Sequence, residues 1–129
     1  MEYRVMEKNG EKFILLEGTG TPIRREEDAN ALIEICAQNG TYLLLVEGDR
    51  LSEEFLRLST GAAGAVLQKF AVYGVKMAAV LGKDRVKGKF KELLAESSRG
   101  SVFRAYEDHS EAERWLLEAL ESVSSSLRK

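Results

Sequence analysis

The sequence predicts a single α/β domain with a five-stranded mixed sheet and flanking helices, in the order β-β-α-β-α-β-α-β-α. Two apolar segments at the start are separated by Asn9-Gly10, a pair typical of a tight β-hairpin turn. After them, short apolar segments alternate with segments of helical periodicity, which predicts parallel strands joined by right-handed crossovers. The continuous apolar run Tyr42–Val46 is typical of a strand covered by helices on both faces. We therefore expect strands two to five to be parallel and strand one to be antiparallel.

The composition is that of an ordinary globular protein, with 44% apolar and 31% charged residues, and its 129 residues suit a single domain over positions 1–129. The net charge of −2 gives no general attraction to nucleic acids or anionic membranes, so neither is an expected partner. No apolar run approaches the ~20 residues of a membrane span, and the first residues, Met1-Glu2-Tyr3-Arg4, lack the pattern of a secretory signal. Cys36 is the only cysteine, which excludes an internal disulfide framework and a thiolate metal site. We expect a cytoplasmic protein without a cofactor.

The first elements are a hairpin and a long helix. Strands are predicted over Tyr3–Glu7 and Phe13–Glu17, and the second is apolar on both faces, so it should be central. A helix over Arg24–Asn39 follows and ends at Gly40. Its expected core face is Ala29, Leu32, Ile33, Cys36 and Ala37.

Two helical segments follow the strand Tyr42–Val46. A short helical piece is predicted over Leu51–Leu58 with Ser52 as its cap. The main second helix is predicted over Gly61–Tyr73, closed by Gly74. Its expected core face is Ala63, Val66, Leu67 and Phe70.

The last third contains two strands and two helices. The fourth strand is predicted over Val75–Leu81, and a basic loop over Gly82–Lys89 leads into a third helix that ends near Ser97. The fifth strand is predicted over Val102–Tyr106, and Ser110 is the expected cap of the last helix. The expected core face of that helix is Ala112, Leu116, Ala119, Leu120 and Val123.

The start of the second main helix is the first candidate site. A helix amino terminus at the carboxyl end of a parallel strand offers free N–H groups and a positive dipole end to an anion. The residues expected to bind an anion or ligand there are Thr60, Gly61, Ala62, Ala63 and Gly64. Alternatively, Ser59 or Thr60 is only the helix cap, and Gly61 and Gly64 allow close packing of helix on sheet. The spacing is not that of a P-loop.

The basic loop after the fourth strand is the second candidate. Because this strand should lie beside the third, Lys83 and Arg85 are expected near Thr60, where they would supply positive charge to the same anion site. The alternative is a solvated loop.

Acidic and nucleophilic residues give weaker signals. Five carboxylates follow strand ends on the same edge of the sheet, and carboxylates there can hold Mg²⁺, but the basic loop opposes a bare cation site. They are Glu47, Asp49, Asp84, Glu107 and Asp108. The only histidine, His109, has no evident nucleophile to activate, so we predict no catalytic residue and no metal ligand.

The order of elements and Ser59-Thr60-Gly61 resemble the anti-sigma-factor-antagonist (STAS) fold. In that family a hydroxyl pair before glycine at the start of the second helix can be phosphorylated in a protein–protein switch. The resemblance implies Ser59 and Thr60 as phosphoacceptors and another regulatory protein as partner. Two features depart from the family: Leu58 replaces the usual aspartate, and the Glu47–Leu58 connector is longer.

A second resemblance covers nearly the whole chain. It is to a bacterial family designated domain of unknown function 4180, for which no activity is established. The residues that carry it are Phe55, Leu58, Thr60-Gly61, Ala63-Gly64, Leu67-Gln68-Lys69-Phe70, Tyr73, Ala78 to Gly82, Glu96 to Gly100 and Trp115-Leu116.

These observations favour a non-enzymatic regulatory or protein-interaction domain. The alternative is a small-ligand or anion-binding domain, or an enzyme, that uses the helix start at Thr60–Gly64.

Overall fold

The computed structural model describes residues 2–18, 20–57, 61–85, 92 and 102–127. The strands are β1 Arg4–Lys8, β2 Glu11–Leu16, β3 Leu43–Glu47, β4 Lys76–Val80 and β5 Phe103–Tyr106. The helices are α1 Glu26–Asn39, α2 Glu53–Leu56, α3 Ala62–Tyr73 and α4 His109–Leu127, with 3-10 turns at Gly48–Arg50 and Lys83–Arg85. The predicted helix that ends near Ser97 lies outside the described residues except for Glu92.

The five strands form one sheet in the order of the sequence, β1-β2-β3-β4-β5. β1 pairs antiparallel with β2, and the other neighbouring pairs are parallel, which confirms the predicted mixed sheet. The hairpin turn has both central residues in the left-handed region, with φ 55° at Asn9 and 82° at Gly10. That conformation fits the twist of the two flanking strands and closes the pairing at Lys8 and Glu11.

Each face of the sheet has its own core. Because the strands follow one another in order and parallel crossovers are right-handed, α1 and α3 lie together on one face and pack against each other. The first core, on that face, includes Ile14, Leu16, Leu32, Leu44, Val46, Val66, Phe70 and Met77, with Leu67 partly buried against it. α4 covers the other face, and the second core includes Phe13, Leu15, Leu43, Leu45, Ala78, Ala112 and Leu116. β2 and β3 are therefore apolar on both faces, as the sequence predicted.

Three details differ from the sequence predictions. On α1, Ile35 is buried and Ala37 is exposed, whereas the predicted core face contained Ala37 and not Ile35. Ser110 is not the cap of α4, because the helix begins at His109 and the N–H of Ala112 donates to the carbonyl of Asp108 at 3.2 Å. The other boundaries differ by one or two residues.

Candidate functional site

The connector between β3 and α3 is folded onto the carboxyl edge of the sheet. Ser52 caps α2, as predicted, by accepting a hydrogen bond from the N–H of Phe55 at 3.1 Å. Phe55 and Leu51 are buried, and Leu51 forms a parallel bridge with Ile23 from the loop before α1. The carbonyl of Arg50 accepts from the N–H of Ile23 at 2.6 Å. The described part of the connector, residues 48–57, is thus anchored in the first core.

Arg85 lies against this connector. Its guanidinium donates to the carbonyls of Gly48 and Leu51, the latter at 2.8 Å, and contacts the carboxylate of Glu53 at 3.2 Å. The main chain of Gly48 lies close to the end of β4, because a Cβ on Gly48 would be 2.6 Å from the carbonyl oxygen of Val80. The loop after β4 therefore adjoins the connector after β3. The described contacts of Arg85 hold the connector, and its role as an anion ligand stays a prediction.

Gly61 and Gly64 at the start of α3 are exposed. Gly61 precedes the helix with φ +75°, a left-handed conformation that favours glycine, and its carbonyl accepts from the N–H of Ala65 at 3.1 Å. Gly61, rather than Ser59 or Thr60, occupies the cap position, so the predicted hydroxyl cap is wrong. Gly64 is exposed, and a Cβ there would meet nothing within 4 Å, so its predicted role in close packing on the sheet is also wrong.

The predicted anion site is only partly within the described residues. Ser59 and Thr60 lie outside them, and Ala63 is fully buried with its side chain in the first core. Lys83 opens the 3-10 turn after β4, on the same edge of the sheet as Gly61. The roles of these residues as phosphoacceptors or anion ligands stay predictions.

Arg50 is a buried charge that the sequence analysis did not select. The side chain is 1% exposed and lies in the 3-10 turn after β3. Nε donates to the carbonyl of Thr21 at 2.7 Å, and Nη1 donates to the carbonyls of Glu2 and Glu17 at 3.0 and 2.9 Å. Nη2 is buried as well, and none of the described residues accepts a hydrogen bond from it. Burial lowers the pKa of Arg50, and the charge of Glu2 opposes that shift.

Glu2 brings a carboxylate to the same place. Its Oε2 accepts from the N–H of Thr21 at 2.9 Å and from the Thr21 hydroxyl at 3.2 Å. The backbone hydrogen bond from Thr21 is the largest of the effects that lower the pKa of Glu2 from 4.5 to about 2. A Cβ on Gly20 would overlap the guanidinium of Arg50 and lie 2.9 Å from Oε2 of Glu2, so only glycine fits between them.

These four residues, Glu2, Gly20, Thr21 and Arg50, are called the Arg50 cluster below. A cavity of about 100 Å³ lies beside it, lined by Glu2, Gly20 and Arg50 of the cluster and by Tyr3, Arg4, Leu15 and Glu17. The only sequence signal for the cluster is the glycine-rich loop around Gly20, which follows a central strand.

Other reactive side chains show no assembled centre. Among the described residues, no group of three or more His, Cys, Asp or Glu side chains could hold a metal ion. Glu47 accepts a hydrogen bond from the N–H of Gly18 at 2.7 Å, and Nδ1 of His109 lies 3.8 Å from the carboxylate of Glu113. Cys36 is fully buried, and burial raises the pKa of its thiol to about 12, so the thiol stays protonated near neutral pH.

The outer face of α3 is exposed and carries a single charged residue of the helix. Lys69 is the only charged residue among the twelve of α3, and it pairs with Glu26 of α1 at 3.4 Å. Val72 is 75% exposed and Tyr73 is 54% exposed at the end of the helix. A groove of about 440 Å³ runs along this face, lined by Glu26, Ala65, Gln68, Lys69, Val72 and Tyr73. We call this surface the α3 face.

Comparisons with known proteins give one match. No curated protein and no solved structure is significantly similar to the chain. Among the described residues, none of the helices has the length and apolar character needed to cross a membrane. The model of the family described as "Domain of unknown function (DUF4180)" matches residues 8–116, which include all or part of each strand, the connector and the start of α4. The chain therefore belongs to the DUF4180 family.

Proposed function

We propose that this protein is a non-enzymatic regulatory domain that binds another protein through the α3 face. The observation that carries the proposal is the exposure of Val72 and Tyr73 on a helix with a single charged residue. A surface helix normally places several charged residues outward, whereas α3 has only Lys69. The resemblance of the sequence to proteins of a protein–protein switch supports the same proposal.

The inner side of α3 already accounts for its core contacts. Ala63, Val66 and Phe70 are fully buried in the first core, and Val72 projects away from them. Burial of a side chain such as valine is favourable by about 1.5–3 kcal/mol relative to full exposure. Binding of a partner that covers Val72 and Tyr73 would be stabilised by this free energy of burial, because both side chains are exposed in the isolated chain.

The shape and charge of the α3 face indicate the kind of partner. Ala65 is small, so a second helix can approach closely along the groove, and Val72 and Tyr73 supply its apolar end. Lys69 and Glu26 pair with each other at the rim, so the face presents no net charge to a partner. An amphipathic helix of another protein, with its apolar side in the groove, fits these properties.

The test is site-specific photo-crosslinking in the native cell followed by binding with purified components. A crosslinker at position 72 should capture one other protein, whereas a crosslinker at Val5, an exposed apolar residue on the edge strand, should not. Val72→Glu should weaken binding of the purified partner at least about tenfold, whereas Val5→Glu should leave it unchanged. Capture of only a second copy of this chain, or equal effects of the two variants, would refute the proposal.

A further inference from the structure

We propose that the Arg50 cluster is a carboxylate-binding site whose internal occupant, the side chain of Glu2, can be replaced by a carboxylate ligand from solution. The cluster lies at the carboxyl edge of β2 and β3, away from the outward end of α3 that carries Val72. It thus goes beyond the proposed protein-binding function.

The first argument is that the site already holds a carboxylate. The N–H and the hydroxyl of Thr21 both donate to the same oxygen of Glu2, at 2.9 and 3.2 Å. Gly20 leaves room for this oxygen beside the guanidinium of Arg50, where any larger residue would collide with both. Two converging donors next to a buried guanidinium form a receptor for an oxygen anion.

The second argument is the unused donor of Arg50. Nε and Nη1 are satisfied by carbonyls of Thr21, Glu2 and Glu17, but Nη2 is buried without an acceptor among the described residues. A buried donor of a charged group that makes no hydrogen bond is costly and requires an explanation. A carboxylate in the place of the Glu2 side chain that reached Nη2 would supply this missing acceptor, while Nη1 keeps its two carbonyls.

The third argument is that the side chain of the occupant lies at the surface. Glu2 and Tyr3 precede β1, whose pairing with β2 begins at Arg4, so no ladder hydrogen bond holds them. Both residues are exposed, and the hydroxyl of Tyr3 accepts a long hydrogen bond from Asn39, at 3.4 Å. Glu2 and Tyr3 form one wall of the cavity, so a carboxylate in solution can reach it where the Glu2 side chain is absent. Exchange of one carboxylate for another leaves the charge beside Arg50 unchanged.

The experiment removes the occupant and supplies a small carboxylate. The full-length Glu2→Ala variant is titrated with sodium acetate, with sodium chloride adjusted to hold the ionic strength constant. Amide signals of Gly20 and Thr21 and the Nε–H signal of Arg50 are followed by ¹H–¹⁵N NMR. We expect saturable shifts in Glu2→Ala, with a Kd at least about tenfold lower than in the wild type, where Glu2 competes. Glu7→Ala removes an exposed carboxylate from β1 and should behave like the wild type.

A second substitution tests the geometry of the site while Arg50, which could be needed for folding, stays unchanged. Thr21→Val in the Glu2→Ala background removes the hydroxyl but keeps the backbone N–H and the shape, and should raise the Kd for acetate about fivefold or more. The proposal is overturned if acetate shifts these signals no more than chloride does. It is also overturned if Glu2→Ala and Glu7→Ala respond alike, or if inorganic phosphate binds more tightly than acetate.

Discussion

Replacement of Phe70 by alanine measures how much the inner side of α3 contributes to folding. Phe70 is fully buried in the first core, beside Val66 and Ala63 of the same helix. Truncation of a buried phenylalanine removes apolar contact and leaves a cavity, which together cost about 3–5 kcal/mol. Because domains of this size are stable by only about 5–15 kcal/mol, the variant should lose a large part of its free energy of unfolding.

The matched control for Phe70→Ala is Val72→Ala, two residues further along the same helix. Val72 is 75% exposed, so its truncation should change the free energy of unfolding by less than about 0.5 kcal/mol. The free energies of unfolding of the two variants are measured with denaturant. The dependence of the free energy on denaturant concentration is compared between them, to ensure that the same transition is observed. A loss below about 1 kcal/mol for Phe70→Ala, or an equal loss for Val72→Ala, would show that the assignment of the two sides of α3 is wrong.

Three further predictions concern charge. The pKa of Glu2 is lowered from 4.5 to about 2, so the stabilisation that its carboxylate provides is present above pH 4.5 and is lost as the pH falls through about 2. Glu2→Gln should lack this pH-dependent part of the free energy of unfolding. Identical acid-unfolding curves for Glu2→Gln and the wild type would contradict the prediction. If the switch hypothesis holds, intact-protein mass spectrometry of native material should find a phosphate on Ser59 or Thr60, and its absence under all growth conditions would count against a switch. If the start of α3 binds anions, millimolar phosphate at constant ionic strength should raise the Tm of the wild type and of Lys129→Ala more than that of Lys83→Ala, and equal shifts would argue against this site.

The fold was accessible from the sequence because its signals are local. Short continuous apolar segments mark the central strands, and the left-handed turn at Asn9-Gly10 follows from the residue types alone. Gly40 and Gly74 end α1 and α3 in the left-handed conformation, at the positions where helix periodicity stops. These signals depend on residues within a few positions of each other, so no knowledge of tertiary contacts was needed.

The Arg50 cluster was not accessible for the opposite reason. Arginine is almost always exposed, and nothing in the residues around Arg50 marks it as an exception. Its burial depends on Glu2, Glu17 and Thr21, which are 29 or more residues away in sequence and meet it only when the sheet is assembled. Likewise, the residue type of Arg85 suggested an anion ligand, whereas its described hydrogen bonds hold the connector.

The topology makes the two proposed sites independent, and this can be measured. α3 runs from the carboxyl edge of the sheet at Gly61 to the opposite edge at Tyr73, so Val72 and the Arg50 cluster lie at opposite ends of the parallel strands. At the carboxyl edge, Arg50 and Arg85 donate to main-chain carbonyls, and within the described part of the chain no element with two arrangements links one site to the other. Val72→Glu in the Glu2→Ala background should therefore leave the Kd for acetate unchanged, and Glu2→Ala should leave partner binding unchanged. A change of more than about threefold in either direction would correspond to a coupling free energy near 0.6 kcal/mol and would contradict this independence.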